Sequence, residues 1–215
     1  WISYRRADHA DAEAIALMAE AGCAAVFLGV ESGSDRILKA MNKTARRKDY
    51  LRAIPQLRAA GILSHANLIT GFPGETRDTV QETIDFLEEA RPDFYRAQVW
   101  YCDPTTPVWR DRQRLGIRGA AFNWSHATMD SHTAADLRER IYLSVQNSIW
   151  LPDYGFEVLC LLYLQDVGMS VNQVRAFLTA NARAVLATYW QVSAEQESEE
   201  FIRAFYANAR TATMG

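Results

Sequence analysis

The sequence predicts an α/β protein, with a parallel sheet in the first half and helices in the second. Three observations carry that expectation. Up to about residue 107, short apolar runs alternate with amphipathic segments, the order of strands joined by crossover helices. Two glycine-bearing turns, Gly29-Val30-Glu31-Ser32-Gly33-Ser34 and Ile69-Thr70-Gly71-Phe72-Pro73-Gly74-Glu75-Thr76, each follow an apolar run and precede a helical pattern. Beyond Trp109 the strand pattern gives way to helical periodicity.

Trp1-Ile2-Ser3-Tyr4 reads as a short strand, and Asp8 to Gly22 as a helix capped by Asp8 or Asp11. Ala24 to Val30 is nearly continuously apolar, as a buried parallel strand is. Ser34 can cap a helix carrying Ile37, Leu38 and Met41. Asp49 to Ala60 reads as a helix interrupted by Pro55 and ended by Gly61. Ile62 to Thr70 is a third strand. Thr76 to Ala90 is an amphipathic helix closed by Arg91-Pro92, and Phe94 to Tyr101 a fourth strand. After an arginine-punctuated connector, helical patterns cover Thr133 to Trp150, Tyr154 to Val167, Ser170 to Tyr189 and Ala194 to Ala209. The expected division is residues 1–109, an α/β unit, and 110–215, an all-helical extension. A first strand that starts at residue 1 suggests a cut through a larger fold, with the missing part upstream.

A net charge of −3 lacks the basic footprint of a nucleic-acid binder, so nucleic acid is not an expected partner. No run approaches the roughly 20 apolar residues of a membrane span. Three scattered cysteines, Cys23, Cys102 and Cys160, argue against a disulfide framework and for a cytoplasmic setting. None of them forms a clustered metal-binding group.

Both turns fall at the carboxyl end of a strand, where α/β proteins keep their ligands. Glu31 and Glu75 stand beside glycines that let backbone approach a ligand closely. Ser32, Ser34 and Asp35 can alternatively satisfy amide donors at a helix start. Arg6 offers a fork suited to a carboxylate, or it pairs with Asp8 or Asp11 on the surface. Gly71, Pro73 and Gly74 provide a sharp turn, which Glu75 can orient. An inert Cys102 is expected, a solvated helix start or surface at Arg46-Arg47-Lys48, and core roles for Trp150, Tyr154, Tyr163, Tyr189 and Trp190.

An ordered set of segments carries a resemblance: Arg6-Ala7-Asp8, Ala21-Gly22-Cys23, Gly29-Val30-Glu31-Ser32-Gly33-Ser34 with Leu38, Met41-Asn42-Lys43, Ala60-Gly61-Ile62 and Gly71-Phe72-Pro73-Gly74-Glu75-Thr76. Over residues 1 to about 107 the chain resembles radical S-adenosylmethionine (SAM) enzymes, most closely the branch with an upstream cobalamin-binding domain. The resemblance implies the last four strands of a partial (β/α)6 TIM-like barrel, followed by an all-helical region. It places the three cysteines of a [4Fe-4S] cluster upstream of Trp1, with no metal ligand in this chain. The implied cofactors are SAM, that cluster and, through an upstream domain, cobalamin.

By the same resemblance Arg6 meets the SAM carboxylate, and Glu31, with Ser32, meets its ribose hydroxyls or amine. Asn67, Ile69 and Gly71 match the fifth-strand motif beside the adenine, with Asn67 in place of its usual first glycine. Tyr101, Asp103 and Thr105 would line the top of the barrel. Residues 123–132 resemble a segment of cobalamin-dependent radical enzymes, including those similar to P-methyltransferases. His126 there is a candidate proton carrier or substrate contact, with loop packing as its alternative; it and Tyr101 are the candidate catalytic groups.

The implied reaction is reductive cleavage of SAM, hydrogen abstraction, and methyl transfer to an unactivated carbon or to phosphorus in natural-product biosynthesis. Its partners would be a small-molecule or peptide substrate, the upstream half of the same polypeptide, and an electron donor such as a flavodoxin or ferredoxin. Alternatives are a methylthiotransferase, a radical cyclase, or a cluster-less binding or regulatory module. Related methylthiotransferases usually carry Gln where Glu31 stands.

Overall fold

The computed structural model describes residues 1–9, 11–151 and 160–190. The chain divides into two compact units, Ile2–Ser148 and Trp1 with Ile149–Gly215. The helical pattern placed at Ala194 to Ala209 lies outside the described residues, as does the start of the one at Tyr154.

The first unit is built on four parallel strands in sequence order: β1 (Ile2–Arg5), β2 (Ala25–Glu31), β3 (Leu63–Thr70) and β4 (Phe94–Val99). Sequential parallel strands require crossovers. These are α1 (Ala12–Glu20), α2 (Asp35–Ala40) with α3 (Arg47–Ala59), and α4 (Arg77–Ala90). Val26, Leu28, Ala66 and Leu68 alternate along β2 and β3 and are buried, while Ile54, Leu57, Val80, Phe86 and Leu87 on α3 and α4 are buried as well. This α/β order is that of a partial TIM-like barrel.

Local chemistry explains most boundaries. Asp11, not Asp8, caps α1 by accepting from the Ala14 N–H at 2.7 Å, and Ala7–His9 form a separate 3-10 turn. Ser34 occupies the cap position of α2 but its hydroxyl makes no cap bond; Ser32 instead accepts from the Ser34 N–H at 3.1 Å. Helix α3 runs through Pro55 without interruption. Pro55 lies on the exposed side, and Tyr50, Ala53, Ile54 and Leu57 anchor the buried side. Thr76 caps α4, and Arg91 in the left-handed region (φ 52°) ends it before Pro92.

Arg46 and Arg47 do open α3, but the Arg47 side chain is largely drawn out of solvent. Its guanidinium donates to Glu82 O at 2.9 Å, reaches Glu89 at 2.7 Å and lies over the Phe86 ring. It ties α3 to α4.

Beyond β4 the expected helix-only pattern is broken by a hairpin, β5 (Arg118–Ala120) and β6 (Asn123–Ser125), which follows the short helix α5 (Arg112–Leu115). Gly119, at φ 77°, cannot carry a Cβ, which would lie 2.1 Å from Asn123 O. Helix α6 (Ser131–Ser144), capped by Asp130, returns to the sheet: Tyr95 Oη donates to Ile141 O, and Tyr142 Oη to Ala97 O. In the second unit the described elements are a two-residue strand, Ile149–Trp150, and helices α7 (Cys160–Asp166) and α8 (Val171–Trp190). No described helix is long and apolar enough to cross a membrane.

Candidate functional site

A cleft of about 630 Å³ opens at the carboxyl ends of β1, β2 and β3. Its walls include Tyr4, Arg6, Asp8, Phe27, Gly29, Glu31, Lys43, Tyr50, Ile69, Phe72 and Trp100. The placement is the one the alternation of strands and helices dictates, because crossover loops leave open ground only at strand ends.

Glu31 is the pivot. A bulge between Gly29 and Glu31 shifts the β2–β3 register, and Glu31 sits in the left-handed region at φ 66°. A non-glycine residue held there is strained, and such strain persists where the surroundings over-determine it. Two contacts do so. Lys43 Nζ meets Glu31 Oε1 at 3.1 Å, with both side chains about one quarter exposed. Tyr50 donates its hydroxyl to Gly29 O at 2.8 Å. Burial, and then the Glu31 charge, raise the Tyr50 phenol above its ordinary value, so it remains a neutral donor. A Cβ on Gly29 would lie 2.6 Å from Glu31 Oε1, so glycine there lets the carboxylate lie over the strand in this position.

Arg6 reaches the cleft rim but is engaged by Asp8 through both edges of its fork, Nε–Oδ1 at 3.1 Å and Nη2–Oδ2 at 2.7 Å. A ligand carboxylate there must compete with Asp8. Ile69 lines the cleft as an apolar wall. Asn67 is half-buried on β3, two residues below it and opposite Gly29.

The remaining sequence candidates lie elsewhere. Ser32 is fully buried and turns toward Thr83, whose Oγ1 also accepts from the Gly33 N–H at 3.0 Å. It shapes the turn after β2 and does not line the cleft. Gly71 is a packing position: at φ 90°, a Cβ would lie 2.5 Å from the Trp124 ring and 2.6 Å from Ala134 Cβ. Its N–H donates to Glu75 Oε2, so Glu75 does orient the loop. Burial raises the Glu75 carboxyl to about 7, opposed by that N–H.

His126 holds the other side of the same residue. Its Nε2 lies 3.0 Å from Gly71 O, and its Nδ1 accepts from the Thr128 N–H at 3.3 Å. The ring stacks on Trp124 at 5.1 Å, and burial lowers its pKa. A neutral imidazole donating from Nε2 satisfies both contacts. The geometry makes it a clamp on the turn. Tyr101 is exposed and packs edge-on against Phe122 at 5.1 Å, outside the cleft lining. Cys102 is buried with its thiol pKa raised by burial, an inert state.

Lys43 and Tyr50 are cleft residues that sequence reading did not single out. The signal for Lys43 was present in Met41-Asn42-Lys43, where Asn42 takes the left-handed conformation (φ 56°) that turns the chain back toward Glu31. Tyr50 gave no such signal, since it looks like any apolar helix position.

No group of three or more His, Cys, Asp or Glu able to hold a metal occurs among the described residues. Cys23 and Cys102 are buried at separate places in the fold, and neither lines the cleft. The described residues therefore do not fit an iron–sulfur cluster. They do fit the amino-acid and nucleoside parts of a cofactor: a carboxylate and a guanidinium at one end of the cleft, with Ile69, Phe72 and Trp100 as apolar surface.

Together the parallel sheet and its cleft define an α/β fold with the candidate site at the strand ends. Residues 3–87 match the family model described as the Radical SAM superfamily. Among curated relatives, the tRNA-2-methylthio-N(6)-dimethylallyladenosine synthase of Nocardia farcinica is 44% identical over 73 residues, 32% of this chain and 14% of that protein. The synthase of the same name from Thermus thermophilus is 39% identical over 96 residues, 43% of this chain and 20% of that protein. The chain thus spans a fifth or less of these relatives' length. Among solved structures, the radical S-adenosylmethionine methyltransferase TsrM from Kitasatospora setae, with cobalamin and a [4Fe-4S] cluster bound, superposes with TM-score 0.60 at 15% identity. That match covers 96% of this chain and 46% of TsrM, and it shows a shared fold.

Proposed function

We propose that this chain forms the carboxyl-terminal part of a radical SAM enzyme, and that its cleft holds SAM for methyl transfer with cobalamin. One observation carries the reading: inside the matched segment, strained Glu31 stands over Gly29 with Lys43 as its counter-ion. Glu31 is placed to accept from an ammonium group or ribose hydroxyls, and Arg6 to pair with a carboxylate once Asp8 yields it. Ile69 and Phe72 supply apolar surface for a nucleobase. Bound SAM would contribute the sulfonium whose reductive cleavage starts radical chemistry in this superfamily. The chain's own share is to bind, to orient and to exclude water. The cluster, an electron donor and cobalamin would come from outside these residues, and the substrate would be a small molecule or peptide. The likeness of fold to TsrM, over 96% of this chain, supports the methyltransferase form.

A second reading, methylthiolation of a tRNA base, is favoured by the names of the curated relatives. It would make nucleic acid the substrate of this acidic chain. The test is anaerobic expression of the polypeptide with its upstream coding sequence. Expected are a C-x-x-x-C-x-x-C group upstream, a cluster absorption band, 5′-deoxyadenosine formation, and a cobalamin spectrum with a methylated product. An upstream sequence without the cysteine group overturns the enzyme reading. A methylthiolated tRNA without bound cobalamin selects the second.

A further inference from the structure

Glu31 can accept from a ligand in the cleft only while its carboxylate stays over Gly29, and its own backbone resists that place. A residue with a Cβ disfavours φ 66° and leaves it unless held. Lys43 holds the side chain at 3.1 Å, but its ammonium rides on a flexible stem and ligand groups can compete for it. Tyr50 acts on the backbone instead. Its hydroxyl donates to Gly29 O at 2.8 Å, where the bulge between Gly29 and Glu31 begins.

Rigid elements place that hydroxyl. Tyr50 lies one turn into α3, and the start of α3 is fixed twice. Asp49 accepts from the Arg46 N–H at 2.9 Å, and Asp35, at the head of α2, accepts from the Arg47 N–H at 2.8 Å. Tyr50 is 2% exposed, and its ring meets Phe86 of α4 edge-on at 6.2 Å. Packing accounts for the ring, and phenylalanine would serve it equally. Packing does not account for the hydroxyl, which stands in a wall shared with Arg6, Asp8, Glu31 and Lys43. Burial, then the charges of Glu31, Asp8 and Asp49, oppose its ionisation, so it stays a neutral donor among charged groups. A lysine at this place would be drawn to the carboxylates, whereas the phenol is left to Gly29 O.

We propose that Tyr50 is a positioning residue for this site: through Gly29 O its hydroxyl holds the bulge that keeps the Glu31 carboxylate at the cleft, and so sets how tightly Glu31 grips a ligand. Tyr50 acts through Glu31 and needs no contact with the ligand itself. Naming that ligand SAM rests on the reading of the cleft given above; the hold on Glu31 does not.

The test uses the full-length polypeptide, with S-adenosylhomocysteine as probe and adenine as control. Adenine has neither an ammonium nor ribose hydroxyls for Glu31 to accept from. Tyr50→Phe keeps the ring against Phe86 and removes only the hydroxyl. It should weaken S-adenosylhomocysteine by about three- to tenfold, the worth of one hydrogen bond, and leave adenine unchanged. In Glu31→Gly the backbone takes the left-handed conformation freely and there is no carboxylate to position. Adding Tyr50→Phe there should change S-adenosylhomocysteine affinity by less than about twofold. Before any ligand is added, the backbone chemical shifts of Glu31 in Tyr50→Phe should report a φ moving out of the left-handed region. A loss shared equally by adenine, or equally large without the Glu31 carboxylate, makes Tyr50 a packing residue and overturns the proposal. So does an undiminished S-adenosylhomocysteine affinity, or an unmoved Glu31 φ. A parent protein that does not bind S-adenosylhomocysteine removes the SAM reading, and the Glu31 φ then decides the positioning role by itself.

Discussion

Replacing Glu75 by Gln should stabilise this protein, and more so as pH rises. The carboxyl is buried beneath the turn after β3, and its one described acceptor contact is to the Gly71 N–H. Burial moves its pKa from 4.5 to about 7 in the folded protein. The sign follows from proton binding. Between these two values the unfolded chain has released the proton and the folded protein still holds it. Stability therefore falls as pH rises through that window. Above pH 7 both states are ionised, and the folded state carries the full cost, about 3 kcal/mol for a shift of this size. At pH 5 the cost is only about 1 kcal/mol, since the folded carboxyl is protonated and the unfolded one partly so. Gln presents a carbonyl to Gly71 at all pH values. The difference in unfolding free energy between Glu75→Gln and the parent should grow by about 2 kcal/mol from pH 5 to pH 8. Urea unfolding of both proteins at the two pH values measures it, and every other titrating group cancels in the difference. Parallel stability–pH curves, or a variant that loses ground as pH rises, would refute a buried and destabilised carboxylate.

Two further outcomes follow from the same turns. Gly71→Ala combines a left-handed backbone with a Cβ 2.5 Å from the Trp124 ring, and should cost about 2–5 kcal/mol; denaturant unfolding reads the loss, and a change within about 0.5 kcal/mol argues against it. Thr83→Val keeps the side-chain shape but leaves the Gly33 N–H, now bonded to Thr83 Oγ1 at 3.0 Å, without an acceptor. It should cost about 1–3 kcal/mol and speed amide exchange at Gly33, whereas unchanged exchange there would show that the hydroxyl is not needed.

The α/β class, the strand order and the two turns were legible because each rests on a local pattern. Continuous apolar runs mark buried parallel strands, and Ser, Thr, Asp and Gly mark helix ends. The roles of individual residues were less legible. Ser32, Gly71 and His126 carry chemically suggestive side chains or neighbours, yet they build the walls behind the site. Trp124 on a hairpin and His126 just after it reach Gly71 from more than fifty residues downstream, with the His126–Gly71 bond spanning 55 positions. That hairpin, Arg118 to Ser125, was itself missed, since two strands of three residues are too short to show a period. Pro55 misled in the other direction, because helix α3 is anchored by buried Ile54 and Leu57 across the position where propensity alone would stop it.

What the sequence determined by itself is therefore the alternation that makes a parallel sheet, and the placing of Glu31 and Ile69 at the ends of its strands. Those follow from periodicity and turn chemistry, which act over a few residues. Only the tertiary structure decided that Lys43 and Tyr50 secure the Glu31 turn, and that Gly71 is gripped from both sides. Each depends on which strands become neighbours and in what register. Register is settled by the packing of whole faces rather than by any single segment.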